Sequence, residues 1–147
     1  LNRLLESGIK SLIDTRSNPV SRRYGFHKSS LSKLSGLVGI KYEHCPEVGV
    51  PSSWRQELQT DGEYKILFKR YEGEVLDEIK DSVERLAEAM KAEPSVLLCR
   101  ESLPTHCHRT VLAKRLSIIN GLETIDLTPL GEKPDKPLVK FNHILLK

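Results

Sequence analysis

No apolar run in these 147 residues approaches the length needed to cross a bilayer, and no stretch has the charged start, short apolar middle and small-residue cleavage site of a secretory signal. The reading is a cytoplasmic protein with no membrane partner. Cysteine is scarce and odd in number, with Cys45, Cys99 and Cys107 alone. Without an export signal, that count argues against a disulfide framework and for reduced thiols that serve as core, ligands or reactive groups. Motifs that name a chemistry outright are also missing. There is no C-x-x-C pair and no H-E-x-x-H helix, and adjacent residues at a helix start point in divergent directions, so no metal is expected. The position that a phosphatase-type arginine takes after a loop cysteine is Pro51, Thr105 or Ala113, which excludes that signature. Repeats and low-complexity segments are absent, and no cofactor is implied.

A chain of this length fits one domain with a proper core. The expected layout is a single α/β domain over 1–128 and a C-terminal tail or strap over 129–147, where prolines and lysines dominate. The formal net charge of +3 is unevenly spread. From Lys10 to Lys33 six basic residues face Asp14 alone, whereas from Glu72 to Glu93 eight acids face three bases. The basic side suits an anionic small molecule or a nucleic acid, and such a run equally suits a plain solvated face.

Apolar spacing predicts alternating strands and helices. Strands are expected over 9–13, 40–44, 95–98 and 124–127. Helices are expected from Ser29 or Ser30 to Gly39, over 54–58, over 64–71, from Val75 to Met90, and from Cys107 to Ile119 with Gly121 as the stop. The pattern implies a small, mostly parallel sheet with helices on both faces. Ligand crevices in such sheets form at the carboxyl ends of the strands. Asp14, His44, Cys99 and Thr128 would share that edge, and the loops 15–28, 45–53 and 100–106 would converge there.

Three motifs lie on those loops: Asp14-Thr15-Arg16 with Pro19, Arg22 and Phe26; Tyr42-Glu43-His44 with Pro46, Glu47 and Gly49; and Cys99-Arg100-Glu101 with Cys107-His108-Arg109. Together they resemble domain-of-unknown-function family 488, over nearly the whole chain and in the family's order. The resemblance implies an α/β fold and no established reaction. It also implies a strand ahead of the first helix that this chain lacks. Val48, Val50 and Arg100 stand where the family has leucine, glycine and a small residue.

The residues suggest an enzyme with a basic, thiol-containing pocket for a nucleotide, a nucleic-acid base or a phosphorylated metabolite. Arg16, Arg22 and Arg109 would hold the anion, since a planar guanidinium suits phosphate or carboxylate. Asp14, Tyr42 and Glu47 would complete the binding wall. Cys99 or Cys107 would be the nucleophile or binding thiol, favoured as thiolate by a helix N-terminus and nearby arginines. Glu101 or His108 would move the proton. Two other readings stand beside it: a non-catalytic nucleic-acid-binding module that uses the basic Arg16–Lys33 loop, and a purely structural Cys/Arg cluster.

Overall fold

The computed structural model describes residues 1–101 and 103–127 in full, and the backbone of 143–146. Its first helix, α1 (Asn2–Glu6), leads through Gly8, at a left-handed φ of 69°, into strand β1 (Ser11–Asp14). Then come α2 (Lys28–Leu37), β2 (Lys41–His44), α3 (Asp61–Tyr71), α4 (Lys80–Ala92), β3 (Ser95–Leu98), α5 (His108–Asn120), β4 (Thr124–Leu127) and β5 (His143–Leu146). Every strand pair is parallel, in the order β2-β1-β3-β5-β4. The expected α/β class, with helices on both faces, is what forms. The strap expected over 129–147 lies outside the described residues apart from β5, which sits between β3 and β4. Thr128 also lies outside them.

Alternation along the strands divides the core into two layers. Ile13 and Leu97 face α3, α4 and α5, where they pack with Leu67, Tyr71, Val83, Met90, Leu112 and Leu116. Leu12, Val96 and Leu98 face the other way, onto Leu4 of α1 and Leu31 of α2. β1 and β3 are buried at every position, as expected for a parallel sheet covered on both sides.

Two expected helices differ. The segment after Pro51 forms a 3₁₀ turn, Ser52–Arg55, rather than a helix over 54–58; Gln56 is extended and Glu57 takes a left-handed φ of 65°. The helix expected from Val75 is interrupted. A π-helical turn, Glu72–Leu76, continues α3, and α4 restarts only at Lys80. The extra residue per turn accommodates both Tyr71 and Leu76 as fully buried side chains. α3 itself begins earlier than apolar spacing suggests. Its start is a capping box, with the Thr60 hydroxyl accepting from the Glu63 amide and the Glu63 carboxylate accepting from the Thr60 amide.

Candidate active site

Register brings three strand ends together: Asp14 pairs with His44 on one side and Leu98 on the other. The ladder continues one residue further, the Thr15 amide donating to the Leu98 carbonyl and the Cys45 amide to the Asp14 carbonyl, each at 3.0 Å. The loops that follow, including the one that begins at Cys99, therefore meet at this edge. Gly49 permits their close approach. A Cβ there would lie 2.7 Å from the Ser17 amide nitrogen and 2.9 Å from the Thr15 carbonyl oxygen, both rigid backbone atoms. Gly49→Ala is accordingly expected to destabilise the fold by about 1–3 kcal/mol in a urea titration, with the site loops displaced.

Around Cys99 the chain gathers two thiols, a carboxylate and an imidazole: one donor atom each from Cys99, Glu101, Cys107 and His108 lies within 4.8 Å of the others. Cys107 is the N-cap residue of α5 and His108 its first residue. Glu101 Oε2 is 2.7 Å from Cys99 Sγ and 3.6 Å from Cys107 Sγ. At the shorter distance the acid and the thiol hold a proton between them, because two ionised groups would repel. His108 Nε2 donates to the Thr15 carbonyl at 3.2 Å, and Nδ1 faces both Cys99 Sγ at 3.3 Å and Arg55 Nη2 at 2.6 Å. Bare, Nδ1 accepts from Arg55. Protonated, it would donate to the Cys99 sulfur instead. Arg55 also pairs with Glu101. The buried Tyr71 supports the imidazole, its ring edge-on at 5.6 Å from His108 and its hydroxyl donating to the Val48 carbonyl at 2.6 Å.

The two clustered thiols are unequal. A hydrogen bond from the Cys107 thiol, together with His108 and the Arg100 backbone amide, outweighs burial and lowers the Cys99 pKa to about 4. The Cys107 pKa is raised, first by hydrogen bonding to Cys99 and then by burial. Cys45 is pushed up to about 12 by burial and by Glu43 and Glu47, as suits a core thiol.

Cys99 lies where two cavities meet. The smaller, about 120 Å³, is lined among others by Arg16, Val50, Arg55, Glu101 and His108. The larger, about 650 Å³, extends along Arg22, Arg23 and Phe26. Arg16, Asn18, Val20 and Arg100 border both. Five arginines thus surround the space above the Cys99 sulfur.

The geometry sorts the sequence candidates. Cys99, Glu101, His108, Arg16 and Arg22 border this cleft. Arg109 does not, and its expected contact with the anion is corrected: it is only 1% exposed, donating from Nε to Cys107 Sγ at 3.1 Å and from Nη2 to the Glu101 carbonyl. Cys107 is likewise 0% exposed. Asp14 is fully buried, both carboxylate oxygens occupied by Arg16 at 2.7 and 2.5 Å, and Tyr42 donates its hydroxyl to the same carboxylate at 2.7 Å. Burial favours the neutral acid, but the Arg16 and Tyr42 hydrogen bonds outweigh it and hold the Asp14 pKa below its usual value. Asp14 and Tyr42 thus position Arg16 rather than line the cleft. Glu47 is exposed and borders neither cavity.

His106 turns away to stack on Tyr64 at 4.0 Å and pair with Asp61, which ties the loop after β3 to α3. Arg55 is the main residue that sequence reasoning missed. No motif marks it, and it arrives from a 3₁₀ turn whose Trp54 ring lies 3.7 Å beneath the Arg70 guanidinium.

Cys107 and His108 do not diverge as their adjacency suggests, since the four donors converge. Two thiolates, an imidazole and a carboxylate form a set that suits zinc. Two guanidinium groups already press on it, however: Arg55 on Glu101 and His108, Arg109 on Cys107. Those two positive charges would oppose a divalent cation.

The family model for the domain of unknown function DUF488 matches residues 1–116. The chain belongs to that family. The matched span contains all four clustered residues and every described residue that borders the cleft. No curated protein and no solved structure matches the chain. Among the described residues no helix is long and apolar enough to cross a membrane.

Proposed function

We propose that this protein is an enzyme that uses the Cys99 thiolate as a nucleophile on an anionic substrate carrying a phosphate group, such as a nucleotide or phosphorylated metabolite. The observation that carries the reading is the position of Cys99 at the junction of two arginine-lined cavities, with Glu101 Oε2 2.7 Å from its sulfur. Arg16, Arg55 and Arg100 bind the anion close to the sulfur, and Arg22 and Arg23 bind it further out. An anion that draws Arg55 toward itself leaves His108 Nδ1 facing the Cys99 sulfur alone. The sulfur attacks the electrophilic centre, the bond to the leaving group breaks, and Glu101 gives that group its proton. Cys107 keeps its proton and stabilises the thiolate by hydrogen bonding.

The test is a pair of alkylating agents. Free thiolates react faster with neutral iodoacetamide than with anionic iodoacetate. Cys99 in a basic cleft is expected to reverse that order, and inorganic phosphate or a nucleoside monophosphate is expected to slow the iodoacetate reaction. Faster reaction with iodoacetamide and no protection by either anion would reject the substrate class. An unreactive Cys99 would favour the structural cluster, and stoichiometric zinc in the purified protein would replace the thiolate reading with a metal site.

A second reading rests on Tyr24, which is 96% exposed between Arg23 and Phe26, with Arg23 5.2 Å from the Phe26 ring centroid. Exposed aromatic and guanidinium planes together suit single-stranded nucleic acid. Binding to a single-stranded oligonucleotide that weakens with salt, and weakens further in Arg22→Ala and Arg23→Ala, is its signature. Binding that ignores both substitutions excludes it.

A further inference from the structure

Cys107 is a nucleophile that the proposed chemistry uses only as a hydrogen-bond donor, and its surroundings equip it for more. It holds the N-cap position of α5, fully buried, while Cys99 directly follows β3 and borders the cleft. The two sulfurs lie within 4.8 Å of each other, and both contact the same carboxylate oxygen of Glu101. Beneath Cys107, Arg109 donates from Nε to the sulfur at 3.1 Å, and its buried Nη1 has no hydrogen-bond partner among the described residues. A buried guanidinium that donates to a thiol sulfur is better compensated when that sulfur is negative.

We propose that Cys99 and Cys107 form a redox pair, in which hydrogen peroxide oxidises Cys99 and Cys107 then closes a disulfide with it. In the first step the Cys99 thiolate attacks one peroxide oxygen. The O–O bond breaks, the departing hydroxide takes a proton from Glu101 and leaves as water, and Cys99 becomes a sulfenic acid. In the second step Glu101, now ionised, accepts the Cys107 thiol proton, and Arg109 stabilises the resulting thiolate. That thiolate attacks the Cys99 sulfur and the S–O bond breaks. The hydroxide leaves as water with the proton from Glu101. Peroxide gains two electrons and the thiol pair loses two, so an external dithiol restores the reduced pair. The nearby cation favours ionisation of the second thiol, and a sulfenic acid that condenses with a neighbouring thiol escapes irreversible oxidation. The buried Cys107 needs no path to solvent, because its target is brought to it. Cys45, beside Glu43 in the core, is not part of the pair.

This inference shares Cys99 with the proposed activity but not its substrate: the disulfide forms whether or not the cleft binds phosphate. The test treats the reduced 147-residue chain with one equivalent of hydrogen peroxide, blocks the remaining thiols and digests with trypsin. Cleavage after lysine and arginine places each cysteine in its own peptide: 42–55, 92–100 and 101–109. The expected product is 92–100 joined to 101–109, lighter by two hydrogens than the sum of the reduced peptides and separated again by dithiothreitol. In Cys107→Ala the sulfenic acid at Cys99 should persist long enough for dimedone to trap it. The wild-type map decides alone if that variant does not fold. A sulfinic or sulfonic Cys99 with 101–109 unlinked would overturn the proposal. So would a link to 42–55, or no oxidation at Cys99.

Discussion

Replacing Asp14 by asparagine is expected to lower folding stability by about 3–5 kcal/mol, the usual penalty for stranding one partner of a buried ion pair. Asp14 is 0% exposed and Arg16 8% exposed. The carboxylate accepts from Arg16 Nε and Nη2, from the Arg16 amide at 3.2 Å and from the Tyr42 hydroxyl. An amide of the same shape cannot supply the charge, so Arg16 would remain a desolvated cation. The pH dependence distinguishes this from general disruption. Because the folded-state pKa of Asp14 is depressed, its contribution is fully present above the unfolded value, roughly 3.9, and is lost as pH falls through the folded value. Wild type should therefore weaken on acidification below about pH 4. The Asp14→Asn variant lacks that contribution at every pH, so the gap between the two proteins narrows. Urea titrations at neutral pH and near pH 3 measure both effects. A loss under about 1 kcal/mol at neutral pH would mean that the pair is solvent-screened.

The second large effect concerns the Cys99 thiolate. An ordinary cysteine with a pKa near 8.5 becomes roughly 200-fold more reactive toward an alkylating agent between pH 6 and pH 9, because its thiolate fraction rises by about that factor. Cys99, lowered to about 4, is expected to react at nearly the same rate at both ends of that range. Absolute speed is a poorer guide, since a weakly basic thiolate is also a weaker nucleophile. The leading cause of the shift is the hydrogen bond from Cys107. Cys107→Ala should therefore restore a steep rise with pH, whereas Cys107→Ser, which keeps a donor, should leave the profile flatter. Mass-spectrometric rates for the 92–100 peptide test all three proteins. A steep profile in wild type would rule out a pre-ionised nucleophile.

Both effects originate in segments whose type, though not geometry, was legible in the chain. The apolar runs 9–13 and 95–98 announced β1 and β3, and Gly39 and Gly121 marked helix stops that the left-handed φ values of 73° and 72° bear out. Period alone could not reveal the π turn at Glu72–Leu76, because apolar positions three and four apart fit continuous helix equally well. The Thr60-x-x-Glu63 box was present in the sequence as a local signal for the start of α3. β5 had none, since four residues after a proline- and lysine-rich stretch carry little period of their own.

By itself, the sequence determined the alternation of strand and helix, and hence which residues would stand at the carboxyl ends of β1, β2 and β3. That follows from local spacing and from the rule that parallel strands point the same way. Tertiary structure alone decided the division of labour among those residues. Arg16 and Arg109 are both arginines in conspicuous motifs, yet one borders the cleft and the other lies sealed beneath Cys107. Cys99 and Cys107 are both free thiols near one helix start, yet one is acidified and the other is not. Arg55 carries no motif and reaches both Glu101 and His108. Each of these outcomes depends on desolvation and on contacts between residues far apart in the chain, which spacing along the backbone does not encode.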